Sequence, residues 1–225
     1  MDLNESIDIY CERTDATFWA EPINAITNIV FIIAALLALM MYRRYLKKGE
    51  KRDVHIFILI ALAFIMGIGS FLWHTFAVLW ANYADVIPIY TFALYYTIIA
   101  MWKIMKFNRV QAVVALILII ILNLVFLIFV PSDAFNGSVM YFPFVIMLAG
   151  FIIYMQYKKH PAAKYFLIAT SVFLLALFFR IIDIMCCSWN PIGTHFLWHI
   201  FNGVFIYILL RTLILTQVEE EKYSI

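Results

Sequence analysis

Val110-Gln111-Ala112-Val113-Val114-Ala115-Leu116-Ile117-Leu118-Ile119-Ile120-Ile121-Leu122-Asn123-Leu124-Val125-Phe126-Leu127-Ile128-Phe129-Val130 decides the fold. It contains no charge, and its only strongly polar side chains are Gln111 and Asn123. About 20 mostly apolar residues are needed for a helix to cross the hydrocarbon of a bilayer. A spanning segment must also satisfy its own backbone hydrogen bonds, which a helix does. Lys106 and Arg109 stand before this run, and the turn Pro131-Ser132-Asp133 follows it.

The same reading extends outward in both directions. Of 225 residues, 66% are hydrophobic and 13% charged, against about 45–50% apolar in soluble domains. Runs of spanning length fall at about 22–42, 54–74, 85–103, 110–130 and 139–157, then in a stretch ending near 185, and at about 193–213. The expected fold is an all-α membrane protein, a bundle of seven transmembrane helices. Residues 1–21 form an acidic segment before the bundle (22–214), and residues 215–225 form a tail. No small-residue cleavage site precedes an apolar core, so the first run is expected to remain as a membrane helix. No basic cluster of the kind that binds nucleic acid is present, and nothing calls for an obligate protein partner.

Charge orders the loops. Arg43, Arg44, Lys47, Lys48, Lys51 and Arg52 lie between the first two runs, Lys103, Lys106 and Arg109 after the third, and Lys158, Lys159 and Lys164 around the loop after the fifth. The alternate loops carry almost none. The positive-inside rule then places the C-terminus in the cytoplasm and the N-terminus outside.

Within this apolar chain one polar constellation falls at the outer ends of three runs: Ser70 and His74, Asp85, and His195 with His199. His195 and His199 are i and i+4, on one helix face. With His74 they make three neutral imidazoles, a usual catalytic zinc set. Asp85 at the same depth suits a base for water, and Ser70, one turn before His74, suits a contact to the reacting carbonyl. Polar groups in the apolar layer are costly and usually face a cavity or a partner. The other two histidines, His55 and His160, fall on the cytoplasmic side and are given no catalytic role. Glu21, Asn24 and Asn28 form a polar stripe on the first helix. Arg180 and Asp183, i and i+3, read as a structural ion pair. The rival reading is an ion- or proton-coupled transporter, or a receptor, using the same polar cluster. The three cysteines, Cys11, Cys186 and Cys187, all fall outside, where a disulfide from Cys11 to either of the adjacent pair is permitted.

These residues carry a resemblance. Tyr10-Cys11-Glu12, Glu21-Pro22-Ile23-Asn24 with Asn28, Ser70-x-x-x-His74 with Asp85, and His195-x-x-x-His199 together resemble the alkaline ceramidase family. These are seven-helix zinc amidases in a wider group of membrane hydrolases that includes adiponectin-type receptors. The resemblance implies that His74, His195 and His199 hold zinc, that Asp85 acts on the water, and that Ser70 contacts the site. It implies cleavage of ceramide, or a related N-acyl lipid, to a fatty acid and a sphingoid base or amine, with the lipid arriving from the bilayer. It also implies a calcium site at Glu12 and Glu21, although Tyr10 stands where eukaryotic members usually have Trp and Thr14 where an Asn ligand is expected. The Asp183-x-x-x-Cys187 spacing resembles the family's sixth helix and selects Cys187 as the partner of Cys11. The short loops and bare termini look bacterial, which makes the expected location an inner membrane with the site towards the periplasmic face.

Overall fold

The structure is a computed structural model that describes residues 2–47 and 52–223, the side chains of 218–223 excepted. Seven of the described helices are long and apolar enough to cross a membrane: α1 (Pro22–Leu46), α2 (Val54–Phe76), α3 (Leu79–Ile104), α4 (Arg109–Phe129), α5 (Ala134–Tyr157), α6 (Ala163–Cys186) and α7, which begins at His195 and runs to Tyr223. No sheet is present among the described residues; one isolated bridge pairs Ser6 with Val78.

The bundle is closed mainly by α2 against α3, α6 against α7, and α1 against both α2 and α7. Phe31, Leu59, Phe92, Tyr96, Phe166, Phe173, Leu209 and Leu213 belong to one continuous buried core. By contrast α4 buries no residue and packs only at the margin, on α5 and the turn before it. Most of its apolar side chains are exposed, and only a narrow stripe with Ala115, Leu116 and Ile119 is half-buried against the core.

Small residues set the close approaches. A Cβ on Gly69 would lie 2.0 Å from the carbonyl oxygen of Ala84, so α2 and α3 touch backbone to backbone there. On Gly203 it would lie 2.7 Å from Val30, which sets α7 tightly on α1. Both contacts lie within a turn or so of the polar constellation.

Several boundaries differ from those read in the sequence. α3 begins at Leu79, so Asp85 sits inside the helix rather than at its start. The reason is local. Ala77 takes the left-handed conformation that caps α2, and Ile7 N–H and Leu79 N–H bond across the turn to Ala77 O and Glu5 O. The chain therefore reverses within two residues. α1 is interrupted at Asn28, where the hydrogen bonds shift to i→i−3. α3 ends in a π-helical turn, Ala100–Ile104. The first turns of α5 are irregular, with Phe135 and Asn136 at positive φ, and regular helix runs only over Phe142–Tyr157. The helix of α7 continues through the stretch expected to be a tail.

Residues 2–21 fold over one end of the bundle. Cys11 is joined to Cys187 at the end of α6 by a disulfide, and Cys186 is free and buried. The expected Arg180–Asp183 ion pair is not formed. Asp183 instead accepts the backbone N–H groups of Thr194, His195 and Cys11, capping the start of α7. Four exposed donors at a helix N-terminus need such acceptors, and a carboxylate there also meets the positive end of the helix dipole. Gly193, at φ +67°, makes room for this cap, since a Cβ there would lie 2.2 Å from Asp183 Oδ1 and 2.7 Å from Cys11 Cβ.

Candidate metal centre

His74 lies in the last turn of α2, His195 begins α7, and His199 follows one turn later. All three are buried to within 1% exposure, which matters because burial removes water as a partner for their ring nitrogens. The ring centroids are 5.1 Å apart for His74 and His195, 4.7 Å for His74 and His199, and 4.7 Å for His195 and His199. Each side chain offers a ligand atom within 4.8 Å of the others, and no second such group of His, Cys, Asp or Glu is gathered among the described residues.

The hydrogen bonds show which nitrogens are left over. His74 Nδ1 donates to Glu21 Oε2 at 2.6 Å. His199 Nδ1 donates to Thr27 Oγ1 at 3.0 Å, because the Thr27 hydroxyl gives its own proton to the carbonyl of Ile23 or Asn24. Buried and without a partner remain His74 Nε2, His199 Nε2 and His195 Nδ1. Buried polar atoms are nearly always paired, so an orphaned nitrogen on each of three imidazoles whose ligand atoms lie within 4.8 Å of one another fits a metal ion with nitrogen ligands. Zinc is the common choice for such a set. Carboxylate and hydroxyl partners on the opposite nitrogens orient the rings and raise their basicity.

Glu21 was expected at a calcium site, and the structure assigns it other bonds. It receives Arg13 Nε at 2.6 Å, Asn24 Nδ2 at 3.1 Å and His74 Nδ1. Burial acts to raise its carboxyl, but the bonds from His74, Arg13 and Asn24 outweigh it and hold the group below its ordinary value. Glu12 accepts the backbone N–H groups of Ile23 and Asn24, each at 2.7 Å, and so caps the start of α1. Burial nevertheless pushes its carboxyl up. Calcium at Glu12 and Glu21 gains no support: the Arg13 guanidinium supplies the positive charge at Glu21, and the two carboxylates form no gathered ligand group.

Asp85 comes beside this cluster because α3 crosses α2 at Gly69. Its Oδ1 is sealed from solvent and has no hydrogen-bond partner. Ser70 and His74 both lie near enough to this carboxylate to act on it electrostatically. The five residues singled out in the sequence are thus brought together. His55 bonds Tyr95, and His160 caps the turn at Ala162, both far from the cluster.

Other residues of the site were not legible in advance. Arg13 ties Glu21 to the carbonyls of Asp15, Thr17 and His74. Thr27 supports His199, and Asn202 bonds the carbonyl of Trp198 in its own helix. Tyr10 stacks on the His195 ring at 3.9 Å. The acidic pattern of the N-terminal segment marked Glu21, but nothing in its spacing points to a histidine 53 residues away.

Next to the cluster, towards the middle of the bundle, lies a cavity of about 660 Å³. Phe31, Tyr141, Trp198 and Phe205 line it, with α4 contributing Ile119 and Phe126. Phe31 in its wall lies edge-on to the ring of His199 at 6.5 Å, and Trp198 and Asn202 stand on either side of His199 along α7, so the cavity adjoins the metal centre, with none of the three histidines in its lining.

Fold and site define a multi-pass membrane protein with a buried three-histidine metal centre beside an apolar chamber. The chain belongs to the Ceramidase family, whose model matches residues 6–224. Comparison with curated proteins gave no significant match. Family membership and the histidine cluster together support a zinc-dependent amide hydrolase.

Proposed function

We propose that the protein cleaves the amide of a membrane N-acyl lipid, a ceramide or a close relative, to a fatty acid and an amine. The observation that carries this reading is the set of three orphaned imidazole nitrogens with an unpartnered carboxylate oxygen beside them and an apolar cavity adjoining the cluster. Pockets of about 300–1,000 Å³ are the size that takes such ligands. Moving acyl chains into water costs roughly 0.8 kcal/mol per CH₂, so the lipid arrives sideways from the bilayer and keeps its chains in hydrocarbon.

His74, His195 and His199 hold the zinc. Bound there, zinc supplies Lewis acidity that lowers the pKa of a water and polarises the amide carbonyl. Asp85 takes a proton from the attacking water and later gives it to the leaving nitrogen, as a base that turns acid must. Ser70, one turn before His74 and near Asp85, contacts the reacting carbonyl. Glu21 and Thr27 fix the ring orientations of His74 and His199.

The loop charges support an orientation with residues 1–21 outside and the C-terminal end cytoplasmic. The short loops support a bacterial inner membrane with the site at the periplasmic face. A transporter or receptor would not need a carboxylate placed against three metal-binding histidines.

Purified protein, assayed for zinc and for release of fatty acid from a panel of N-acyl lipids, tests the reading. His195→Ala loses zinc and activity together. Asp85→Asn keeps zinc and loses roughly 10²–10⁴-fold in rate, the usual worth of positioned acid–base catalysis. Full activity in Asp85→Asn on the best substrate refutes the mechanism.

A further inference from the structure

Arg180 is a cation inside the bundle, 9% exposed, and no acidic side chain among the described residues pairs with it. Its Nε is buried and has no partner. Around the guanidinium stand the rings of Tyr10 at 5.8 Å, Tyr141 at 5.7 Å and Trp198 at 5.5 Å. Cation–π contacts offset part of the cost of burial. Charged side chains at membrane depth are otherwise kept for function.

One hydrogen bond leads from this charge to the metal centre. Arg180 Nη1 donates to the Tyr10 hydroxyl at 3.1 Å, and Trp73 Nε1 donates to the same oxygen at 3.4 Å. Arginine and indole have donors and no acceptor. The phenolic proton therefore points to neither, and among the described residues it has no acceptor. The Tyr10 ring lies on His195 and is 5.1 Å from the ring of His74, so its hydroxyl is carried at the rim of the metal centre. Two N–H groups on the oxygen, one of them charged, polarise its O–H and make it a stronger donor. The Tyr10 hydroxyl is thus a polarised donor at the edge of the histidine cluster.

We propose that Tyr10 is a further catalytic residue, donating a hydrogen bond to the substrate's carbonyl oxygen and to the carboxylate formed from it, with Arg180 as the positioning residue that acts through Tyr10. The proposal rests on the amide-hydrolase reading. Tyr10 transfers no proton; it stabilises negative charge as that charge develops on oxygen. The carboxylate recognised is that of the fatty-acid product, and a carboxylate carried by the amine portion of a substrate has the same chemistry.

The test uses the full chain loaded with zinc, as wild type, Tyr10→Phe, Arg180→Met, Arg180→Lys and the Tyr10→Phe/Arg180→Met double variant. Tyr10→Phe keeps the ring on His195 and removes only the hydroxyl. Its expected kcat is roughly 10–10³-fold lower, the range for one oxyanion donor, with KM little changed and zinc content at the wild-type level. Dissociation constants for dodecanoic acid and dodecanol are compared in parallel. Tyr10→Phe and Arg180→Met should each weaken the acid about tenfold and leave the alcohol nearly unchanged, the double variant should be no worse than Tyr10→Phe alone, and Arg180→Lys should recover part of the loss. N-acyl lipids with and without a carboxylate on the amine portion separate the two sources: an equal kcat loss on both assigns the contact to the scissile carbonyl. A larger loss confined to the acidic lipid assigns it to the headgroup and overturns the catalytic role. Unchanged acid binding in Tyr10→Phe, acid and alcohol weakening together, or loss of zinc also overturns the proposal. If the wild type hydrolyses no amide, the functional reading falls, while the comparison of acid with alcohol still decides whether Tyr10 meets a carboxylate.

Discussion

Glu21 receives Arg13, Asn24 and His74 on one buried carboxylate, whereas His199 leans on the neutral hydroxyl of Thr27. Hydrogen bonds to charged groups are worth about 1.5–3 kcal/mol and neutral ones about 0.5–1.5, so Glu21 contributes more to the metal centre than Thr27 does. Glu21→Gln should weaken zinc binding roughly 10–100-fold, as removal of such orienting partners does. Thr27→Val should weaken it less. Competition against a graded chelator measures both, and equal affinities in wild type and Glu21→Gln would remove Glu21 from the metal's support. The ligands themselves were legible because histidine is scarce in this chain and three of the five sit at span ends on one side of the bundle. Their partners were not, because the bonds of Glu21 to His74 and of Thr27 to His199 cross 53 and 172 residues of sequence. Arg180 and Asp183 show the same limit: i and i+3 spacing put them within reach of each other, yet a helix N-terminus and a phenol were the better partners.

At the scale of elements, the crossing of α2 and α3 decides whether Asp85 reaches the site. Gly69→Ala would gain about 1 kcal/mol of helix propensity, but its Cβ would lie 2.0 Å from the Ala84 carbonyl oxygen and against backbone that cannot rotate away. The clash wins, and the helices must part. A misplacement on the order of 1 Å costs about 10²-fold in rate. The expected result for Gly69→Ala is a kcat loss of about that size with zinc retained, since no ligand and no partner of a ligand lies on α3. Zinc lost in step with activity would mean that the crossing holds the whole centre rather than Asp85 alone. Seven helices were legible because spans of apolar residues have a length fixed by the bilayer. Their ends were less so. The start of α3 looked like a loop because Trp80, Asn82 and Tyr83 break the apolar run, whereas the structure extends the helix to Leu79 by pinning Val78 to Ser6. The irregular turn at Phe135 and Asn136 follows no apolar period and leaves no trace in one.

For the whole molecule, two independent constraints bear on which face of the membrane holds the metal centre. Lysine and arginine gather in the loops after α1, α3 and α5, which the positive-inside rule places in the cytoplasm. The disulfide between Cys11 and Cys187 lies at the opposite end, joining residues 2–21 to the end of α6, and such bonds persist in oxidising compartments and are rare in the cytosol. Charge and redox chemistry therefore agree. The same covalent tie holds the segment that carries Tyr10, Arg13 and Glu21 over the histidines, so the disulfide and the completed site share one end of the bundle. Single cysteines introduced as Asn4→Cys and Lys158→Cys, both at exposed positions, report the orientation directly. An impermeant maleimide applied to intact cells should label position 4 and leave position 158 unlabelled until the membrane is opened. Labelling of position 158 from outside would reverse the orientation, place the disulfide in a reducing compartment, and require the metal centre to work at the cytoplasmic face.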